Sequence, residues 1–231
     1  MIRKNFTFVI TTFRSGAVID ECLKDMPKDI RKIIVENSND HNLKDRLENM
    51  YENTECFLMS DNLGYGKANN FGIIKSNTDY VFILNPDTKI TDEKFTKIVS
   101  LLQEQDFAIA APQIVEKNIV YKQNKSDHQI KKVEHVFGMA MILNKRKFSN
   151  NFFDENIFLY HEEIDLCKRM INIGQNILEL NIQLNHLGNQ SHGGYDFEME
   201  KSRNWHWMWS KFYFYKKNHN YFYSFFKTLP N

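Results

Sequence analysis

YVFILNPDT, residues 80–88, is the stretch that decides the fold: five apolar residues run directly into a polar turn. An uninterrupted apolar run of this length is typical of a strand buried on both faces. Three similar runs precede it, at residues 6–13, 33–35 and 56–59, and helix-like segments separate them. Alternating strands and helices predict a parallel, doubly wound sheet of the α/β class, which binds ligands at the carboxyl ends of its strands.

The rest of the chain predicts a change of architecture. Helix-like segments at 17–26, 43–51, 67–75 and 95–105 complete a first half over about residues 1–111. Residues 109–111, 119–121 and 133–143 then predict strands of mixed direction, followed by a helix over 161–173 and a strand over 177–184. We expect a second half over about 112–197 and a helical segment over 198–231.

Composition limits the class of protein. The 231 residues are 42% hydrophobic and 26% charged, which suits a folded domain, and 30 Lys and Arg balance 29 Asp and Glu. A net charge of +1 does not favour a nucleic-acid partner. The three cysteines lack CxxC spacing, no secretion signal is visible, and no apolar run reaches the ~20 residues of a membrane span. These features predict a cytoplasmic protein.

The loop after the strand at 80–84 is the first candidate site. Asn85 and Asp87 would lie at the carboxyl edge of the sheet, where a divalent cation and a diphosphate could meet. A hard cation such as Mg²⁺ or Mn²⁺ prefers a few carboxylates together with phosphate oxygens. The alternative is an ordinary turn, because Asn, Pro and Asp all form turns.

Residues 61–70 form a second candidate, a glycine-containing loop that leads into a helix. Free backbone N–H groups at a helix N-terminus favour anions, and Gly64 and Gly66 allow close approach of a ligand. The third glycine of a dinucleotide-binding fingerprint is absent, since Asn69 stands in its place. A plain glycine turn capped by asparagines is the alternative.

Acidic residues open the helix predicted over 161–173. Helical spacing places Glu162, Asp165 and Arg169 on one outer polar stripe and Glu163 at the border of the buried face. Partial burial would raise the pKa of Glu163 and make it a better general base. Acidic residues are also common in a first helical turn because of the helix dipole, which is the alternative explanation.

Two histidines follow the last predicted strand. His186 and His192 lie in a glycine-rich stretch, and imidazole is a good ligand for a divalent transition metal. The alternative is a hydrogen-bonded structural role, which is more common for a histidine outside a metal motif.

In their order and spacing, these segments resemble the GT-A glycosyltransferases of family 2, particularly the rhamnosyltransferase-like branch. Members of that branch carry an asparagine-proline-aspartate-threonine loop, here residues 85–88, in place of aspartate-x-aspartate. The resemblance extends over nearly the whole chain, through residues 11–14, 35–40, 62–73, 137–141, 153–155, 162–169 and 186. It implies a GT-A fold, with a Rossmann-like, mostly parallel central sheet, flanking helices and a mixed C-terminal half.

The resemblance also implies roles for individual residues. Glu163 would be the catalytic base, and Asp87 with His186 would hold the divalent cation, Mn²⁺ or Mg²⁺. Donor-binding residues would be Thr11, Arg14, Glu36, Gly64, Lys67, Asn85 and Asp87. Secondary candidates are Thr12, Glu162, Asp165, Arg169 and His192.

The expected function is that of an inverting, metal-dependent glycosyltransferase in cell-surface polysaccharide synthesis. It would move a sugar from a dTDP- or UDP-linked donor to a hydroxyl of a glycan or lipid-linked acceptor. One alternative is a nucleotide-sugar-binding or scaffold subunit that kept the fold without turnover. Another is a nucleotidyltransferase, which the glycine-poor segment at 11–16 disfavours.

The segment from 205 to 226 alternates aromatic residues with lysines. Such a helix suits the membrane interface, so we expect peripheral contact with the inner face of the membrane, beside a lipid-linked acceptor. A helix that packs in the core or in a dimer is the alternative.

Overall fold

One ten-stranded sheet organises the computed structural model, which describes residues 3–121, 128–188 and 197–229. Its strands are β1 (Phe6–Thr12), β2 (Arg31–Glu36), β3 (Thr54–Leu58), β4 (Tyr80–Leu84), β5 (Thr88–Lys89), β6 (Ile109–Glu116), β7 (Ile119–Tyr121), β8 (Ile130–Lys132), β9 (Ala140–Asn144) and β10 (Ile177–His186). Its helices are α1 (Ile19–Leu23), α2 (His41–Met50), α3 (Tyr65–Lys75), α4 (Asp92–Leu102), α5 (Glu162–Asn172), α6 (Phe197–Asn218) and α7 (Tyr221–Thr228). Short 3-10 turns span Arg3–Asn5 and Lys145–Lys147.

The first half is parallel, as the strand–helix alternation predicts. The strands run in the order β3-β2-β1-β4, with β1 paired to both β2 and β4. Their carboxyl ends therefore meet at one edge of the sheet, where Thr12, Glu36 and Leu84 end their strands. The prediction of a parallel, doubly wound half is confirmed.

The second half is mixed in direction, which is also confirmed. Strand β9 runs antiparallel between β4 and β6, and β10 pairs parallel with β6 and antiparallel with β5 and β8. The single strand predicted over 133–143 is wrong. Residues 130–132 form β8 and residues 140–144 form β9, and the stretch between them turns toward the sheet edge, where the Gly138 carbonyl accepts a hydrogen bond from Tyr65 Oη at 2.7 Å.

Several helices begin earlier or end sooner than their apolar periodicity predicts, and in α4 and α2 a capping residue sets the first turn. Helix α4 begins at Asp92, after the Thr91 side chain accepts a hydrogen bond from the Lys94 amide. Helix α2 is capped in the same way by Asp40. Helix α1 is only five residues long, against ten predicted over 17–26.

The sheet is covered on both faces. One cluster packs Phe8, Phe82 and Phe95 beneath α1, α2 and α4, and the other packs Val9, Ile83 and Leu166 beneath α3 and α5. Cys22, Cys56 and Cys167 are buried and free, as their spacing predicts. Within the described ranges, no helix combines the length and the apolarity needed to cross a bilayer.

Candidate active site

A cavity of about 360 Å³ opens at the carboxyl ends of β1 and β4. It brings together candidates from five separate parts of the sequence. Those that line it are Thr11, Gly64, Asn85, Asp87, Glu162, Glu163 and His186. The candidates Thr12, Arg14, Glu36, Lys67, Asp165 and Arg169 do not line it, and His192 lies outside the described residues.

Two adjacent carboxylates form one wall of the cavity. Burial raises the pKa of Glu163 to about 7, and burial together with the charge of Glu163 raises the pKa of Glu162 well above its ordinary value. Only 5% of Glu162 is exposed, so its prediction as part of an outer polar stripe is wrong. The pair holds a proton more tightly than free carboxylates do, which is the property that a general base near neutral pH requires.

The polar stripe is buried because a second layer covers it. Asp165 is 1% exposed and pairs with Arg169 Nε at 2.8 Å and with Lys217 Nζ at 2.7 Å. Lys217 also lies 2.8 Å from Asp154, so α6 joins the start of α5 to the loop before it. Asp165 and Arg169 therefore stabilise the helix that carries the carboxylate pair, outside the cavity itself.

The backbone that leads into α5 is strained. Tyr160 and His161 both adopt left-handed conformations, with φ of 67° and 68°. For residues other than glycine this costs on the order of 1 kcal/mol or more each, and it persists where the surroundings impose it. The His161 ring is buried without a hydrogen-bond partner among the described residues, and burial lowers its pKa to about 4. The helix begins at Glu162, one residue later than predicted.

Asp87 and His186 face each other across the cavity floor. His186 Nε2 lies 3.1 Å from Asp87 Oδ1, and His186 Nδ1 lies 3.1 Å from Glu116 Oε2. Burial lowers the pKa of His186, but the two carboxylates outweigh it, so that the pKa lies above its ordinary value. Strand β5 brings them together, because it pairs Thr88 with His186.

This pair fits a divalent cation. Asp87 Oδ2 is buried without a hydrogen-bond partner among the described residues, while Oδ1 faces His186, and a buried carboxylate oxygen without a partner is rare unless it binds something. A carboxylate, and an imidazole held by a second carboxylate, are common metal ligands. The described ranges contain no group of three or more His, Cys, Asp or Glu side chains arranged for a metal, so a cation here would complete its shell with donor oxygens.

The glycine loop is shaped by direct contact with the cavity wall. Gly64 has φ of +78°, and a Cβ at this position would overlap the carbonyl oxygen of Phe158. The Tyr65 amide, at the N-terminus of α3, donates a hydrogen bond to that oxygen at 2.8 Å. Lys67 instead projects away from the cavity, half exposed and 3.9 Å from Glu155.

The residues at the carboxyl ends of β1 and β2 have two roles: some line the cavity, and others stabilise the backbone beside it. Thr11 lines the cavity with a buried hydroxyl that has no hydrogen-bond partner among the described residues. The Thr12 hydroxyl is directed to the Val35 carbonyl at 3.5 Å. The Glu36 carboxylate accepts hydrogen bonds from the amides of Ser38 and Asp40, which closes the turn after β2. Arg14 lies at the exposed rim, with a left-handed backbone.

Helix α6 contributes cavity residues that the sequence analysis did not identify. Met199 and Arg203 line the cavity, and Arg203 Nε donates a hydrogen bond to Tyr160 Oη at 2.8 Å. The available signal was the helical spacing of 199, 203, 206 and 210, which sets one face of α6 apart from the exposed aromatics at 205 and 209. Tyr65, Phe158 and Tyr160 are further cavity residues outside the predicted set.

Comparison with known proteins identifies the family. The family model for glycosyl transferase family 2 matches residues 7–168, which is more than half of the chain. The chain belongs to glycosyl transferase family 2. The match spans β1 through the first turns of α5, so it includes Asp87 and the Glu162–Glu163 pair.

Individual relatives agree with this family. The chain is 24% identical over 200 residues to the low-salt glycan biosynthesis hexosyltransferase Agl10 of Haloferax volcanii, covering 74% of this chain and 64% of the relative. Its fold is similar to GalNAc-T7 with UDP, GalNAc and Mn²⁺, with a TM-score of 0.67 and 12% identity over 92% of this chain and 50% of the other. It is also similar to S. aureus TarS 1-349 with UDP, with a TM-score of 0.66 and 16% identity over 79% and 60%. The chain spans about half to two thirds of these proteins, and its α/β fold is that of GT-A glycosyltransferases.

Proposed function

We propose that this family 2 glycosyltransferase moves a sugar from a UDP- or dTDP-linked donor to a hydroxyl group of a glycan or lipid-linked acceptor, with inversion. The observation that carries the proposal is the juxtaposition in one cavity of the Glu162–Glu163 pair with Asp87. Family neighbours described with UDP and with UDP-GlcNAc support a nucleotide-sugar donor. The rhamnosyltransferase-like branch and a role in cell-surface polysaccharide synthesis are parts of the same proposal.

Glu163 acts as the general base. Its carboxylate takes the proton of the acceptor hydroxyl while that oxygen forms a bond to the anomeric carbon. The bond from that carbon to the diphosphate oxygen breaks, and the nucleoside diphosphate leaves with the electron pair. A pKa of about 7 suits this proton transfer at neutral pH. One displacement inverts the anomeric carbon, and burial of Glu163 favours its uptake of the proton.

Asp87 and His186 would hold a divalent cation, and Asn85 would lie beside the donor. When bound, the cation would neutralise charge that develops on the departing diphosphate. The buried Oδ2 of Asp87, which has no hydrogen-bond partner among the described residues, supports this assignment, and Glu116 fixes the ring of His186. The relative GalNAc-T7, described with Mn²⁺, supports the choice of a divalent cation.

The nucleoside would lie against the ends of β1 and β2. The unpartnered hydroxyl of Thr11 is available to it, and the turn closed by Glu36 forms the rim. Arg14 and the α3 N-terminus at Gly64 border the same end of the cavity. In this proposal residues up to about 111 bind the donor, residues 112–197 supply the base and the acceptor site, and 198–231 form a C-terminal helical segment.

The helices α6 and α7 would bring the enzyme to the membrane. Their outer surface exposes large aromatic side chains, including Trp205 (61% exposed), Phe222 (76%) and Phe226 (70%). Lysines accompany them: Lys211 lies over the Trp207 ring at 4.7 Å. Aromatic rings and lysines together favour an anionic bilayer surface, which is where a lipid-linked acceptor would be found. A location in the cytoplasm, peripheral on the inner face of the membrane, is part of the same proposal.

Donor turnover tests the central proposal. Purified protein is incubated with UDP-, dTDP- and GDP-sugars, with Mn²⁺, with Mg²⁺ and with EDTA, and binding and release of nucleoside diphosphate are measured. We expect one donor to bind and to be slowly hydrolysed only with the cation. If a donor binds but is not turned over, whichever acceptor is added, the result would instead support the alternative of a nucleotide-sugar-binding subunit without activity.

Liposome flotation tests the membrane contact. We expect the full chain to float with anionic liposomes at low salt, and a variant with Trp205, Phe222 and Phe226 changed to Ser to remain at the bottom. If wild type and variant both stay off the liposomes, the membrane contact is wrong.

A further inference from the structure

The four residues that precede the catalytic pair, 158–161, are each held by helix α6. We name them the clamped segment. Phe158 stacks on His206, with ring centroids 4.2 Å apart and an interplanar angle of 23°. The Leu159 carbonyl accepts a hydrogen bond from Ser210 Oγ at 2.8 Å. His206 and Ser210 of α6 therefore fix the first half of the segment. His206 contacts the ring of Phe158, and Ser210 contacts the backbone of Leu159.

The second half of the clamped segment is held in the same way. Tyr160 Oη accepts a hydrogen bond from Arg203 Nε at 2.8 Å. The His161 ring lies nearly parallel to Phe214, at 5.9 Å and 15°. Four side chains from different turns of α6 thus contact the four residues of the clamped segment.

The clamped segment needs such support because its local conformation is unfavourable. Tyr160 and His161 are consecutive non-glycine residues with positive φ. Conformations of this kind persist only where the surrounding structure imposes them, and they are concentrated at functional sites. Here the residues that follow directly are Glu162 and Glu163, and Phe158, Leu159 and Tyr160 themselves line the cavity.

Ser210 is the contact that best separates positioning from simple packing. It is fully buried, and its hydroxyl bonds the backbone of the clamped segment instead of a carbonyl of its own helix. The other fully buried serine of this region, Ser224 in α7, bonds the Asn220 carbonyl four residues earlier at 2.6 Å. A helix that merely covered apolar surface would not require the bond that Ser210 makes.

We propose that α6 is a positioning element of the active site, which holds residues 158–161 in the strained conformation that keeps Glu162 and Glu163 in the cavity. The role of these carboxylates rests on the proposed function. Ser210, Arg203, His206 and Phe214 act through the clamped segment and are positioning residues. The C-terminal helix is then part of the catalytic unit as well as a surface for the membrane.

The kinetic test compares Ser210→Ala with the matched control Ser224→Ala in the full chain. We expect Ser210→Ala to lower kcat about tenfold, since small displacements of a catalytic group are costly, and to leave the donor KM within about twofold. A loosened segment admits water to Glu163, so the midpoint of the acid limb of the pH profile should move to lower pH. The groups whose pKa the charge of Glu163 raises, which are Glu162, Tyr65 and Cys167, are the same in both variants. Equal kcat and equal midpoints in the two variants would overturn the proposal.

Amide hydrogen exchange tests the clamp without any substrate. We expect residues 158–165 to exchange at least about tenfold faster in Ser210→Ala than in wild type or Ser224→Ala. His206→Leu, at a partly exposed position, repeats the test if Ser210→Ala does not fold. Unchanged exchange in the folded variant overturns the proposal. If the wild type transfers no sugar from any donor, the proposed function fails, and the exchange result still decides the role of α6.

Discussion

Changing Glu163 to Gln should make the protein more stable and nearly inactive, and both effects follow from one buried charge. The substitution keeps the shape of the side chain and removes its ability to ionise. Donor binding should survive, because the cation ligands proposed here lie in the loop between β4 and β5 and at the end of β10. Transfer should fall by about 10² to 10⁴, the usual cost of losing a general base.

The stability effect can be worked out from the pKa. Burial raises the pKa of Glu163 from an ordinary 4.5 to about 7, so the folded protein binds more protons than the unfolded chain between these values. Stability contributed by the protonated group is complete below pH 4.5 and is lost as the pH rises through 7. The full difference corresponds to about 3 kcal/mol, and access of Glu163 to cavity water reduces this to about 1 to 3 kcal/mol.

The assay is thermal unfolding at two pH values, alongside transfer kinetics. At pH 8 Glu163→Gln should melt about 3 to 9 °C above wild type, and at pH 4 the two should melt together. Glu104→Gln, at an exposed position, should match wild type at both pH values. In the wild type, kcat should rise about tenfold between pH 6 and pH 8, because the base ionises over that range.

Two results would refute this reasoning. If Glu163→Gln turns over within a few-fold of wild type, Glu163 is not the base, and a dead Glu162→Gln variant would move the role to its neighbour. If Glu163→Gln shows no stabilisation at pH 8, the carboxylate is not held in a low-dielectric environment, and the pH dependence of kcat must have another origin.

Three further outcomes follow from the structure. Asp87→Asn should abolish cation-dependent donor binding without lowering the melting temperature, which calorimetry with and without Mn²⁺ would check; equal affinity in the wild type with and without Mn²⁺ would contradict it. Gly64→Ala should weaken donor binding and lower stability more than Gly174→Ala, because both glycines have positive φ but of the two only Gly64 would bring a Cβ against a backbone oxygen. Equal losses of stability in denaturant titrations would show that this contact has no effect. Lys217→Met should cost about 1 to 2 kcal/mol of unfolding free energy, because it leaves two acidic groups with fewer partners, whereas exposed Lys216→Met should cost almost nothing.

Sequence alone determined the sheet and the location of the site. Apolar runs of three to eight residues separated by helix-like segments indicate buried strands, and a polar loop directly after such a strand lies at the sheet edge. That argument placed Asn85 and Asp87 there, whereas Gly64 came from its glycine-containing loop and Thr11 from the family resemblance, and all four line one cavity. The pairing of β10 with β5 brings His186 to the same cavity, and this pairing could not be predicted because β5 is only two residues long.

Only the tertiary structure decided which carboxylates are buried. Helical periodicity assigns faces from the residues of one helix, so it set Glu162 and Asp165 on an outer stripe. Helix α6, some 40 residues later in the chain, contacts that stripe where Lys217 pairs with Asp165, and it contacts the residues just before the stripe through Ser210 and Phe214. Burial is a property of two surfaces in contact, and local sequence describes one of them. The pKa of the catalytic pair, the strained backbone before it and the helix that holds it therefore depend on the folded chain.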